Sequence, residues 1–286
     1  MCFTFAEKCG IMISAVFKGR SADMLGGIFD THCHYDSREF DADRYELLDE
    51  LMSEGSSVCG LLHAATDEAS IRFGTETAER YERFYTAVGF HPECLDALPG
   101  DPEAVLEDAL TRSDKIAAIG EVGLDYHYDG FDRAKQITLL NMQIDLAKRH
   151  GLPLIFHCRD ATEDFLAVMR EQRPQGVVHC FTGSPETASE LLSLGLYLGF
   201  GGVLTFKNSK KVKRSFEAVP LDRFLFETDC PYMAPEPYRG TRCDSRMIAE
   251  AAKVGAQIKN IPAQELIDTA AENTYRLFNK IRKEQQ

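Results

Sequence analysis

Long apolar runs are missing from these 286 residues. None approaches the roughly 18 uninterrupted apolar residues that a bilayer-spanning helix requires, which argues against a helical membrane protein. The nine cysteines form no C-x-x-C pair and no regular framework. In so long a chain they read as reduced thiols of a cytoplasmic protein. Positive charge is also scarce: 32 Lys and Arg face 45 Asp and Glu, for a net charge of −13. That balance argues against broad, nonspecific adhesion to nucleic acid or anionic membrane. It leaves room for a nucleic-acid substrate, because bound divalent cations and a local basic loop reverse the field inside a cleft. No Pro-, Gly- or Ser-rich linker divides the chain and no short repeat recurs, so a single domain is expected. No feature calls for an obligate protein partner.

What is present is an ordinary apolar fraction, 44%, enough for a sizeable core. Residues 1–26 read as a flexible N-terminal extension. Residues 11–17 are apolar, but Glu7 precedes them and no strongly basic leader is present, which weakens a secretory reading. Met24, just ahead of the first strand, is an alternative start. From residue 27 to 286, apolar strand-like runs alternate with amphipathic helical segments. Strands are expected near 28–34, 57–65, 84–90, 116–122, 152–158, 176–181, 196–203 and 224–229. Helical patterns, with apolar residues at spacings of three and four, fill 42–55, 70–81, 102–112, 133–150, 161–170 and 185–194. The region 243–280 is again helical, broken near Pro262. Eight β units with helical crossovers predict an α/β fold, a single (β/α)₈ TIM barrel, with a doubly wound open sheet as competitor.

In such a barrel, chemistry gathers at the C-terminal ends of the strands. The first expected strand ends in His32-Cys33-His34, whose alternate imidazoles share one side. The fourth runs into Glu121, the fifth into His157, the sixth into His179, and the eighth into Asp229. A lone histidine after an apolar strand is usually structural. Five strand ends carrying metal-ligand side chains are hard to assign to packing, since buried charges are costly without partners. Four imidazoles and two carboxylates suffice for two divalent cations. The expected division is His32, His34 and Asp229 on one, His157 and His179 on the other, with Glu121 between. Imidazole-rich sets favour Zn, Mn, Co or Fe over Mg, which prefers oxygen; Mg stays open. Paired cations activate water and stabilise attacking and leaving oxygens. Glu121 and Asp229 are the candidate catalytic carboxylates, Asp229 also as a proton acceptor.

The ordered motifs extend further. They are residues 29–36 (FDTHCHYD), 89–92 (GFHP), 120–126 (GEVGLDY), 157–161 (HCRDA), 179–183 (HCFTG) and 227–232 (ETDCPY). With these the chain, from about residue 28 to 278, resembles the TatD family of metal-dependent deoxyribonucleases, within the wider amidohydrolase-type barrels. The resemblance implies a TIM-type barrel, a divalent-metal centre, and hydrolysis of phosphodiester bonds in DNA, often from the 3′ end. It places His32, His34, Glu121, His157, His179 and Asp229 on the family's ligand positions. One departure stands out: Arg239-Gly240-Thr241-Arg242 is followed by Cys243-Asp244-Ser245, where the family commonly has Arg-Asn and then Pro.

Candidate substrate contacts have competing readings. Residues 207–214 (KNSKKVKR) read as a basic grip on a phosphate backbone or as a solvated helix face, with Lys207 nearest the strand end. Arg159 can orient a phosphate oxygen or pair with Asp160 or Glu163. His91 belongs to the cleft mouth, as a substrate contact, a support or a turn residue. Asp125 and Tyr126 support Glu121's neighbours or, for Tyr126, stack on a base. His63 and Cys180 read as structural, Cys180 turned outward by strand alternation. A DNA phosphodiesterase, probing a single-stranded end, leads. An amidohydrolase-like enzyme cleaving an amide or ester bond shares the centre, and a non-enzymatic nucleic-acid-binding barrel with structural metal is the third reading.

Overall fold

The computed structural model describes residues 25–283. Most of the expected extension, residues 1–24, lies outside the described residues. Eight parallel strands form one sheet in chain order. They are β1 (Ile28–Cys33), β2 (Val58–Ala64), β3 (Phe84–Val88), β4 (Ile116–Asp125), β5 (Leu154–Arg159), β6 (Gly176–Val178), β7 (Tyr197–Phe200) and β8 (Phe224–Phe226). The helices between and after them are α1 (Arg44–Leu51), α2 (Glu68–Arg80), α3 (Pro102–Arg112), α4 (Arg133–His150), α5 (Thr162–Gln172), α6 (Pro185–Ser193), α7 (Lys210–Ala218), α8 (Ile248–Lys259) and α9 (Ala263–Leu277). This is the expected (β/α)₈ barrel. Among the described residues no helix is long and apolar enough to cross a membrane.

Local chemistry sets the helix starts. Asp67, Asp101, Asp132 and Ser184 accept the backbone N–H three residues on, capping α2, α3, α4 and α6. Pro102 and Pro185 open their helices, where no N–H is needed. Helix α4 ends on Gly151 at φ 62°, a left-handed cap that glycine adopts without a Cβ penalty.

Two apolar clusters follow from strand alternation. Leu62, Tyr85, Ala117, Ile155, Val177, Tyr197 and Leu225 belong to one, which Ala271, Phe278 and Ile281 join from the chain's last helix and tail. Phe84, Ile116, Leu154, Phe156, Leu198 and Phe224 belong to the other, with the helix faces. Every residue of β4 is buried, as a strand covered on both faces requires.

The seam between β1 and the chain after β8 closes through backbone bonds. Asp229 N–H donates to His32 O (2.9 Å), and His34 N–H donates to Cys230 O (2.8 Å). Cys33 and Cys230 pair there as a parallel bridge.

Some boundaries differ from expectation. Strand β4 runs on through Asp125, held in register with Arg159 of β5. Strand β6 stops at Val178, so His179 and Cys180 lie in a turn, with Cys180 at φ 43°. Its half-buried side chain is therefore placed by the turn and not by strand alternation. Residues 202 and 203, expected as the end of the seventh strand, belong to a 3₁₀ turn over Gly202–Thr205. Helix α7 takes up most of the basic segment, burying Val212, Ser215 and Phe216 while Lys210, Lys211 and Arg214 face solvent.

Candidate metal centre

Strand period and strand ends bring the polar residues together. Ile155 and Val177 belong to one apolar cluster, and His157 and His179 follow each by two residues. Asp229 sits just past β8 at φ 60°, and the seam bonds set it beside His32 and His34. Glu121 lies inside β4, its N–H donating to Ala65 O at 2.7 Å. His32, Glu121 and His179 are buried, and His34, His157 and Asp229 are half-buried.

Glu121 stands between two sets of imidazoles. Its Oε2 lies 3.4 Å from His32 Nε2 and 3.6 Å from His34 Nε2. Its Oε1 lies 2.8 Å from His179 Nε2, 3.0 Å from His157 Nδ1 and 3.6 Å from His91 Nε2. Asp229 Oδ1 is 3.3 Å from His34 Nε2 and 3.7 Å from His32 Nε2. The Nε2 atoms of His32 and His34 are 3.0 Å apart, and His157 Nδ1 is 3.1 Å from His179 Nε2. The His32 and His179 rings stack, with centroids 3.9 Å apart.

Three groups have donor atoms close enough to hold a cation: His32, His34 and Asp229; His32, Glu121 and His179; and His91, Glu121 and His157. The donor set fits a divalent ion. One N–H···N bond joins two facing imidazoles with a single proton, whereas a cation takes the lone pairs of several at once.

The electrostatics agree with that chemistry. Burial would raise the Glu121 carboxyl, but the surrounding imidazoles hold it well below its usual range. Asp229 is likewise held low against burial by its bond to His34 and the nearby imidazoles. Burial disfavours a charged His34, yet its bond to Asp229 and the charges of Glu121 and Asp229 raise it to about 10. His157 is raised to about 9, burial being outweighed by its bonds to Asp125 and Glu121. Burial brings His32 down to about 4.

A second layer fixes which nitrogens face the centre. Asp125 Oδ2 bonds His157 Nε2 at 2.9 Å, which turns Nδ1 toward Glu121. The Glu93 N–H donates to His91 Nδ1 (3.2 Å), so His91 carries its proton on Nε2, aimed at Glu121. Burial brings His91 down to about 3, which keeps it neutral. Sequence reasoning left His91 at the cleft mouth; the structure draws it to the centre's edge.

Beneath the centre lie two fully buried carboxylates that sequence reasoning did not single out. Asp30 accepts from Thr228 Oγ1 (2.6 Å), Ser245 Oγ (2.6 Å), and the N–H groups of Thr228 and His32, tying β1 to the chain after β8. Glu227 accepts from Cys180 N–H, and its Oε1 lies 3.9 Å from His179 Nδ1. Glu227 Oε2 and the Nδ1 atoms of His32 and His179 have no hydrogen-bond partner among the described residues. Gly199 makes room for Glu227: a Cβ there would collide with its carboxylate. The available signal was an acidic residue within an apolar strand, at Asp30 in β1 and directly after β8 at Glu227.

The remaining candidates scatter around the mouth. Arg159, 43% exposed at its side chain, lies 3.9 Å from Asp125 and over the Tyr128 ring. Asp160 pairs instead with His127. Lys207 is exposed in the turn before α7. Tyr126 donates to Asp164 (2.9 Å) and stacks on Phe131 (4.3 Å between centroids). His63 bonds Asp36 (3.0 Å) and Thr86 (3.3 Å), a supporting role. In the departing loop, Arg242 pairs with Asp43 and Ser245 reaches Asp30.

Comparison with known proteins places this geometry. Residues 29–279 match the family described as TatD related DNase. The chain is 38% identical over 255 residues to the uncharacterized metal-dependent hydrolase YabD of Bacillus subtilis, covering 88% of this chain and 98% of that protein. It is 34% identical over 259 residues to the uncharacterized metal-dependent hydrolase YcfH of Escherichia coli, covering 88% and 96%. The crystal structure of YjjV, a TatD homologue from Escherichia coli, superposes with a TM-score of 0.82 at 32% identity, covering 90% of this chain and 99% of that one. With a matched family spanning nearly the whole barrel, and His, Glu and Asp groups able to hold a metal ion at its mouth, the chain belongs to the TatD family of metal-dependent hydrolases.

Proposed function

We propose that this hydrolase is a DNA phosphodiesterase that uses two divalent cations and removes nucleotides from a 3′ end. The observation that carries the reading is the division of Glu121, with Oε2 toward His32 and His34 and Oε1 toward His157 and His179. Such a carboxylate suits a bridge between two cation positions, the arrangement used for in-line displacement at phosphorus. His32, His34 and Asp229 would hold one ion and His157 and His179 the other.

Bound divalent cations supply polarisation of the phosphoryl oxygens and acidification of water. The protein's residues supply the rest. Asp229, held below the usual carboxylate range, accepts the proton of the attacking water. Arg159 offers a planar fork to a phosphate oxygen. His91, at the centre's edge, turns its Nε2–H from Glu121 to the same group once that carboxylate is engaged by cations, and Lys207 adds positive charge on the seventh-strand side. The match to a family described as TatD related DNase supports the choice of phosphodiester over amide or ester.

The test is to incubate metal-reconstituted protein with end-labelled single-stranded DNA beside an Asp229→Asn control. Stepwise loss of 3′ nucleotides by the wild type alone is the expected result. Equal activity in both proteins, or none with Zn, Mn, Co or Mg, overturns the reading.

A further inference from the structure

Beside the metal centre, the loop after β3 and the loop between β4 and α4 enclose a cavity of about 510 Å³. That volume falls within the range of pockets that hold one small molecule. Asp125 lines it, and the same carboxylate holds His157, so the cavity adjoins the centre directly. Its wall carries Tyr128 and Phe131, 59% and 43% exposed. Large apolar side chains this open to solvent are few among the described residues, and two of them line one cavity. Phe131 is braced on one face by Tyr126, and Tyr128 by the guanidinium of Arg159. Each ring is thus held in place while part of its surface stays free.

The charge of the cavity narrows its occupant. Glu93, Asp96, Asp129 and Asp132 line it with Asp125, against the single ammonium of Lys135, which itself lies 3.4 Å from Asp132. A phosphate is repelled from such a lining. A planar group with N–H donors is not: its faces meet the rings and its edge donates to carboxylates. The polarity is therefore divided, with phosphate chemistry at the metal centre and Arg159, and an apolar, acidic chamber next door.

We propose that this cavity is a subsite for the terminal nucleoside of the substrate strand, its base against Tyr128 and Phe131 and its phosphodiester at the metal centre. The proposal rests on the phosphodiesterase reading above and deepens it. The cavity has room for one nucleoside, and the acidic lining repels a further phosphate, so the strand ends there. End-selective cleavage then follows from charge and volume.

The chain contains no tryptophan, so Tyr128→Trp places a single reporter on an exposed position of the wall. Saturable quenching by deoxyadenosine, with none by deoxyribose 5-phosphate, is expected. In parallel, Tyr128→Ala should lower the ratio of kcat/KM for thymidine 5′-p-nitrophenyl phosphate over that for methyl p-nitrophenyl phosphate. The expected drop is about 5- to 150-fold, the range given by loss of one base–aromatic stack. A 3′-phosphate on an oligonucleotide should slow its cleavage at least about tenfold, by placing a dianion against the acidic wall. Absence of nucleoside quenching overturns the proposal, as does quenching by putrescine without quenching by deoxyadenosine, which marks a cation pocket. If the wild type hydrolyses neither phosphodiester, the phosphodiesterase reading fails, while the quenching of the single tryptophan still decides the subsite.

Discussion

Asp125 decides which nitrogen of His157 faces the centre, by holding the other at 2.9 Å. Removing it in Asp125→Ala frees the ring, and divalent-metal affinity should fall about 10- to 100-fold, measured by competition with a chromophoric chelator. An unchanged affinity would mean that packing alone orients the ring. Gly199 is the second decisive residue, because any Cβ there meets the Glu227 carboxylate. Gly199→Ala should cost about 1–3 kcal/mol in denaturant unfolding, as overpacking does. In a Glu227→Ala background the cost should shrink, since the colliding group is gone. The clustering of the candidate ligand side chains was legible in the sequence because imidazoles and carboxylates at apolar strand ends are rare and period two fixes their side. Asp125 was legible in part: its support of Glu121's neighbours was readable, but not that it holds His157, which depends on β4 pairing with β5, a partner far away in the chain. His91 was half legible: its position after β3 was readable, but not the backbone bond from Glu93 that turns its proton inward.

At the scale of elements, the strands and most helices follow periodicity closely, and the misreadings share a cause. Residues 176–181 and 196–203 are largely apolar, but pairing stops at Val178 and Phe200 where the backbone turns to present His179 and to make room for Glu227. Composition does not record where a ladder ends. The loop whose sequence departs from the family pattern is anchored by Ser245, which donates to the buried Asp30 at 2.6 Å and lies 2.8 Å from Tyr35 Oη. Ser245→Ala leaves that carboxylate one donor short and should destabilise the protein by about 1–3 kcal/mol, read from the shift of its urea midpoint at constant slope. The segment after α9 has a comparable anchor. Phe278 is fully buried with Phe29 and Tyr85 in the same cluster. Phe278→Ala should cost about 3–5 kcal/mol by the same measurement.

For the whole molecule, the net charge of −13 is spread over a barrel whose mouth concentrates both signs. Cations bound there act as ligands of the folded state alone, so stability should rise with metal. At a free-ion concentration about 100 times Kd the gain is about 2.7 kcal/mol, and chelation should lower Tm accordingly. A Tm indifferent to chelator would mean that no cation binds the folded state tightly. The seam gives this linkage a direction in time. His32 and His34 stand at one edge of the closing sheet and Asp229 at the other, with 194 residues between His34 and Asp229. A chain leaving the ribosome exposes His32 and His34 well before Asp229. The set is complete only when the chain after β8 has found β1. Competence for hydrolysis therefore waits on closure of the barrel, and a barrel with an open seam carries a divided donor set.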